Sequence, residues 1–359
     1  GIYSFEGQKY TPVDSSTLMP YREAKDGQIL QEGICETGAM ASFMAAGTAY
    51  SVHGIPTIPF YVFYSIFGFQ RVGDMIWACG DMLSRGFLLG GTAGRTTLNG
   101  EGLQHEDGHS QVMANTVPNM RSYDPAFGYE LAVIICDGIE RMYQNHEEIF
   151  YYITIYNENY SMPPMPEGAE DGIIRGMYRF ASSTNKVEKD RKAHLFGSGS
   201  IMMQVLAAQD FLEKFGVSTD VWSVTSYNEL TRDGIATERR NRLQRNDEKP
   251  YVETLLEKET GVFVAASDYM KVQPLGISQW IPGRYSVLGT DGFGFSESRP
   301  DLRRHFEVSA EHIAYTALAA LADDGKYGED ELAEAADKLG IDRDKLDPAT
   351  SGPAQANPG

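Results

Sequence analysis

The stretch 91–110 reads GTAGRTTLNGEGLQHEDGHS and sets His105 and His109 among Glu101, Glu106 and Asp107. Imidazoles beside carboxylates transfer protons near neutral pH. Glycines let the backbone turn tightly enough to bring several titratable groups against one small ligand. The same composition also suits a plain solvated loop. A further acid, Glu36 in QEGICETGAM, stands where a helix dipole favours a carboxylate. Between them Phe60, Tyr61, Phe63, Tyr64, Phe67 and Phe69 crowd a strand and the turn after it. Such a stripe usually packs a core, but it can also offer ring faces to a flat ligand.

These residues need elements to place them. Strand-like runs at 57–64, 86–90 and 149–155 alternate with helix-like ones, among them a buried helix expected over 33–50. A second series follows: strands at 194–198, 220–224, 262–267 and 286–288, and helices at 201–215, 312–322 and 329–339. Alternation of this kind predicts an α/β fold of two mainly parallel-sheet units. Proline and glycine followed by charge place a linker at 166–192, between a domain over 1–165 and one over 193–346. The small, polar tail 347–359 is expected to be disordered.

A net charge of −19 speaks against a nucleic-acid footprint. The basic runs at 237–245 and 299–305 read as solvated surface, or as contacts with an acidic partner or a second subunit. No apolar run is long enough to span a bilayer, no leader is evident, and membrane association is not expected. The first residue is Gly1, which suggests a start inside a longer sequence. Cys35, Cys79 and Cys136 lack zinc spacing and read as buried thiols of a reducing cytoplasm.

Taken in order, QEGICETGAMASF, IPFYVFYSIFGFQRVGDM, the HEDGHS loop, SYDPAFGYELAVI, YYITIYNENYSMPPMPEGAEDGI and VLGTDGFGFSESRPDLRRHFEV closely resemble the C-terminal part of the homodimeric, bacterial-type first component of pyruvate dehydrogenase. The resemblance runs from Gly1 to about Asp347. It implies a transketolase-like fold made of the pyrimidine-binding domain of a thiamin diphosphate enzyme and a C-terminal domain. It also implies that Glu36 is the carboxyl group that acts on the aminopyrimidine, held in an apolar site. Phe67 would stack on that ring and Tyr64 would make a polar contact. His105 would face the substrate-derived part, with Glu101, Glu106, Asp107 and His109 on the substrate side or behind it. Loop 6–23 resembles a mobile active-site loop.

The GDG motif that carries magnesium and diphosphate in this superfamily does not occur here; Cys136-Asp137-Gly138, which begins an apparent helix, and Thr290-Asp291-Gly292 lie outside the expected domain. No metal ligand is therefore expected in this chain. The Mg2+ ligands should come from an upstream diphosphate-binding part, with a second subunit completing a homodimeric site. The resemblance further implies pyruvate as substrate and the lipoyl group of an acetyltransferase component as acceptor. The alternatives are a transketolase-like or other 2-keto-acid enzyme, or a module that only dimerises or docks.

Overall fold

The computed structural model describes residues 1–13, 16–17, 22–183 and 190–351. Three expected features fall partly outside the described residues: loop 6–23 at 14, 15 and 18–21, the linker 166–192 at 184–189, and the tail from 352 onward.

A short parallel pair, β1 (Ile2–Tyr3) and β2 (Glu23–Ala24), precedes the first unit. That unit runs α1 (Glu36–Val52), β3 (Phe60–Tyr64), α2 (Ser65–Asp81), β4 (Phe87–Gly91), α3 (Ser110–Ala114), β5 (Met120–Tyr123), α4 (Gly128–Ile139), β6 (Phe150–Thr154) and α5 (Glu170–Arg175). Its four-stranded sheet has the order β3-β4-β6-β5 and is parallel throughout. β6, reading FYYIT, is buried at every residue, as expected of a strand covered on both faces. β3 is an edge strand and leaves Phe60, Val62 and Tyr64 exposed. α1 starts at an N-cap, Cys35, whose Sγ accepts from the Gly38 N–H at 3.4 Å. Gly47 lets α1 lie close to the chain before β4, since a Cβ there would meet Arg85 O at 2.8 Å.

The second unit runs β7 (Tyr178–Ala181), β8 (Lys192–Gly197), α6 (Met202–Lys214), β9 (Ser218–Ser223), α7 (Tyr227–Gln244), α8 (Tyr251–Leu256), β10 (Val262–Ala266), α9 (Val272–Leu275), β11 (Tyr285–Leu288), α10 (Arg299–His305), α11 (Ala310–Asp323) and α12 (Glu329–Leu339). Its five strands follow the order β11-β10-β8-β9-β7, with only β7 antiparallel. α6, α11 and α12 cover one face with a core that includes Val205, Leu212, Ile313 and Leu321. Trp222, Tyr227, Phe263 and Trp280 fill the other.

β9 and β10 flank β8 on opposite sides, so chain order reverses at β8, where open α/β sheets commonly hold ligands beyond their carboxyl ends. Here the first unit reaches into that crevice. Asp268, just past β10, accepts from Thr96 N at 2.9 Å, Thr96 Oγ1 at 2.6 Å and Thr97 Oγ1 at 2.6 Å. Thr97 Oγ1 also lies 2.6 Å from Ser200 Oγ, in the turn after β8. Arg95 is buried and donates to the carbonyls of Thr290 and Gly292 at 2.5 Å each.

Several expectations change. The described part of the expected linker, 166–183 and 190–192, contains α5 and the edge strand β7. Asp347 to Ser351 form a turn in which Pro348 is buried, and a Cβ at Gly292 would stand 2.9 Å from the Pro348 carbonyl oxygen. Cys79 alone of the three cysteines is buried; Cys35 caps an exposed helix start and Cys136 lies on the outer side of α4. Cys136-Asp137-Gly138 sits at the end of α4, not at a helix start.

Candidate active site

Three segments meet at the carboxyl edge of the first sheet. α1 contributes its first residue, Glu36; β3 ends at Tyr64 and passes directly into α2, which carries Phe67. The chain leaving β4 returns through a 3₁₀ turn, Leu103–His105. His105 stacks on Tyr64, with ring centroids 5.2 Å apart and planes at 22°. The edge of Phe67 approaches the same imidazole at 5.4 Å. Tyr64 and Phe67 meet edge-on at 5.9 Å. Both aromatic residues therefore leave the core stripe, whereas Phe63 and Phe69 are buried in it against Tyr152.

Arg71 links this cluster to Glu36. Its guanidinium lies 3.9 Å from the centroid of Phe67, and Nη1 is 2.5 Å from Glu36 Oε1. The Tyr61 hydroxyl reaches Glu36 O at 3.5 Å, and burial beside that carboxylate pushes the phenol up to about 12. The Glu36 side chain is 20% exposed and half of Arg71 faces solvent, so this chain sets a cation beside the carboxyl where an apolar enclosure is expected. Arg71 was not among the residues singled out from sequence. Its spacing of one helical turn from Phe67 was the available signal.

The histidine loop separates into exposed and buried members. Glu101 Oε2 lies 3.3 Å from His105 Nδ1, which is buried and makes no hydrogen bond. His109 stands before α3, with Nε2 2.7 Å from Gln70 Nε2 of α2. Asp107 is fully buried and accepts from the N–H groups of His109 at 3.0 Å and Ser110 at 2.9 Å, and from the Tyr269 hydroxyl at 3.1 Å. Glu106 is 1% exposed and accepts from Phe295 N at 2.7 Å. Burial pushes the Glu106 carboxyl up to about 8. Glu106 and Asp107 thus support the loop from inside and do not line its open side.

No helix among the described residues is long and apolar enough to cross a membrane. One group with metal-ligand geometry occurs among them, His194, Asp220 and Glu259, far along the chain in the second unit. Its ligand atoms are already engaged: Trp222 donates to His194 Nδ1 at 3.2 Å, and Lys192 lies 3.1 Å from Asp220 and 2.7 Å from Glu259. A cavity of about 140 Å³ between Pro125, Phe127, Tyr156 and Met162 includes none of the candidate residues.

Two mainly parallel α/β units in this order make a transketolase-like fold. Transketolase from Leishmania mexicana superposes with a TM-score of 0.62 over 83% of this chain and 38% of that one, at 14% identity. A split-gene transketolase described as an inactive β4 tetramer matches with a TM-score of 0.55 over 89% and 91%, at 16% identity. Residues 1–163 match the pyruvate dehydrogenase E1 component middle domain and 176–309 the transketolase-like C-terminal domain. The pyruvate dehydrogenase E1 component of Pseudomonas aeruginosa is 54% identical over 352 residues, covering 97% of this chain and 40% of the relative. That of Escherichia coli K12 is 51% identical over 354 residues, covering 97% and 39%. The chain belongs with the bacterial pyruvate dehydrogenase E1 components and corresponds to their C-terminal part. It spans about two-fifths of the length of those curated relatives.

Proposed function

We propose that this chain supplies the pyrimidine half of a thiamin diphosphate site in a pyruvate dehydrogenase first component. The observation that carries the reading is the convergence of Glu36, Tyr64, Phe67 and His105, drawn from three segments, at one sheet edge. Their chemistry fits the group. A flat aminopyrimidine needs a carboxyl at its ring nitrogens and aromatic faces beside it, and Glu36, Tyr64 and Phe67 offer both at the accessible rim of the sheet. Bound there, thiamin diphosphate would supply the electron sink that makes loss of carbon dioxide from a 2-keto-acid feasible.

The chain's own residues have separable tasks. Glu36 holds a proton at Oε for exchange with the ring. Arg71 fixes the direction of that carboxyl through its charge-assisted contact. His105, with Nδ1 turned to Glu101 and its ring wedged between Tyr64 and Phe67, keeps Nε2 for the substrate, where it binds the pyruvate carboxylate or donates a proton. Overall, pyruvate, a proton and a lipoyl disulfide yield carbon dioxide and an S-acetyl dihydrolipoyl group on the acetyltransferase component. The diphosphate and Mg2+ contacts belong to the remainder of the protein, with a second subunit completing a homodimer. Three free cysteines accord with a cytoplasmic setting.

Glu36→Gln tests the assignment. In the complete protein it should abolish nearly all pyruvate turnover while thermal unfolding is unchanged; retained activity would remove Glu36 from the reaction. Transketolase-type activity on sugar phosphates in place of pyruvate would favour the alternative substrate class.

A further inference from the structure

The 3₁₀ turn that presents His105 has its next residue buried beneath the second unit. Glu106 Oε2 accepts from Phe295 N at 2.7 Å, while Oε1 is buried without a hydrogen-bond partner. The backbone of Gly294 lies directly on the same turn. A Cβ built there would stand 2.7 Å from Glu106 Cβ and 2.9 Å from Leu103 O. Arg95 fastens the start of this covering loop through the carbonyls of Thr290 and Gly292. The second unit therefore touches both sides of the segment Leu103–His105 without contributing any of the rings that surround the imidazole.

We propose that Glu106 is a positioning residue, through which the loop 290–295 of the second unit sets the placement of His105. The proposal rests on the role given to His105 above. It assigns the second unit a part in building the site, although that unit's strands lie outside it. Burial raises the Glu106 carboxyl, the Phe295 N–H lowers it, the Asp268 carboxylate raises it and the Arg95 guanidinium lowers it. Glutamine reproduces the shape of the side chain and keeps an accepting oxygen for the Phe295 N–H. Alanine removes the acceptor, leaves the Phe295 N–H buried and unsatisfied, and frees the turn.

The test uses the complete protein carrying Glu106→Gln, Glu106→Ala or Gly294→Ala, each alone and with His105→Gln. Hydrogen exchange of peptides over 100–110 and 290–297 is followed without added ligand, and initial rates with pyruvate are measured in parallel. Glu106→Ala should speed exchange at Leu103–His105 and Phe295 and lower kcat on the order of tenfold to a hundredfold. Glu106→Gln should restore both. Gly294→Ala, whose Cβ would crowd Leu103 O, Glu106 Cβ and Glu106 Oε2 while leaving the carboxyl in the sequence, should reproduce the Ala effects and keeps the test open if Glu106→Ala does not fold. In the His105→Gln background neither should lower kcat further. Unchanged exchange at Leu103–His105 in both Glu106→Ala and Gly294→Ala would overturn the proposal, as would equal losses of rate with and without His105. Full activity of His105→Gln alone would instead refute the role of His105, while the exchange data still decide whether the second unit positions the turn.

Discussion

The His105 imidazole lies stacked on Tyr64, the last residue of β3, although His105 itself is delivered by the chain leaving β4. β3 and β4 are neighbouring parallel strands, so the stack closes the gap above their carboxyl ends. Tyr64 keeps nearly half of its surface exposed, which leaves its other face and its hydroxyl for a bound molecule.

Tyr64→Phe should therefore separate two roles. It retains the stack and loses the hydroxyl, so kcat should hold while thiamin diphosphate binds several-fold more weakly. Tyr64→Ala loses the stack as well, an interaction worth about 0.5–1.5 kcal/mol beyond burial, and kcat should fall too. Cofactor titration together with initial rates distinguishes these outcomes; a kcat lost fully in Tyr64→Phe would place the hydroxyl in the chemistry.

Arg71→Met keeps the bulk over Phe67 and removes the charge from Glu36. Because Arg71 is half exposed, unfolding temperature should change little, within the range of a surface ion pair at about 0–1 kcal/mol. Activity should drop on the order of tenfold, since the catalytic carboxyl loses its orienting partner. Equal activity of Arg71→Met and wild type would show that Glu36 is oriented by other groups.

Stability should depend on pH through the interface between the units. The folded-state carboxyls of Glu106 and Asp124 are raised to about 8 and about 6 by burial, above their ordinary range. A raised acid adds stability that is complete below the unfolded pKa and is lost as pH rises through the folded one. The Glu106 contribution should thus decline from about pH 4.5 upward and be gone above about pH 8. Calorimetric unfolding temperatures at pH 6 and pH 9 should converge in Glu106→Gln; an unchanged pH dependence would contradict the burial argument. His194 acts in the opposite sense, because burial lowers it to about 4 and stability falls as pH drops below its ordinary value of 6.5.

Arg303 of α10 is buried and reaches Glu158 of the first unit, with Nη1 3.2 Å from Oε1. Glu158→Ala removes the contacting carboxylate of that guanidinium and leaves Asp268 as the further acid acting on it, so the cost should fall below about 3–5 kcal/mol, the figure for a fully unpaired buried charge. Replacing both by apolar residues of similar volume should cost less than the single change. Chemical denaturation of the three proteins measures this.

How much of this was legible in the sequence follows from where each signal lies. β6 and β10 stand out because strands buried on both faces must be continuous apolar runs, and FYYIT and VFVAA are such runs. β5, reading MRSY, carries an arginine and is short; β7, reading YRFA, is an edge strand with a break in register at Arg179. Neither leaves a periodic trace. Glu36, Tyr64, Phe67 and His105 were picked out by family resemblance, and the structure brings them to one place. The pairs Asp268–Thr96 and Glu106–Phe295 had no local signature, because a contact between distant parts of the chain leaves no spacing to read. The surroundings of Glu36 were misjudged for the same reason, since Arg71 arrives from the next helix.

The central claim is that this chain carries the pyrimidine half of a pyruvate-decarboxylating site. Pyruvate-dependent reduction of an artificial electron acceptor tests it most directly. The purified chain is assayed with thiamin diphosphate and Mg2+, with and without the rest of the protein, as wild type and as Glu36→Gln. Activity that requires both the remainder and Glu36 is the expected result. Activity of the wild-type chain by itself, or of the Glu36→Gln mixture, would contradict the account.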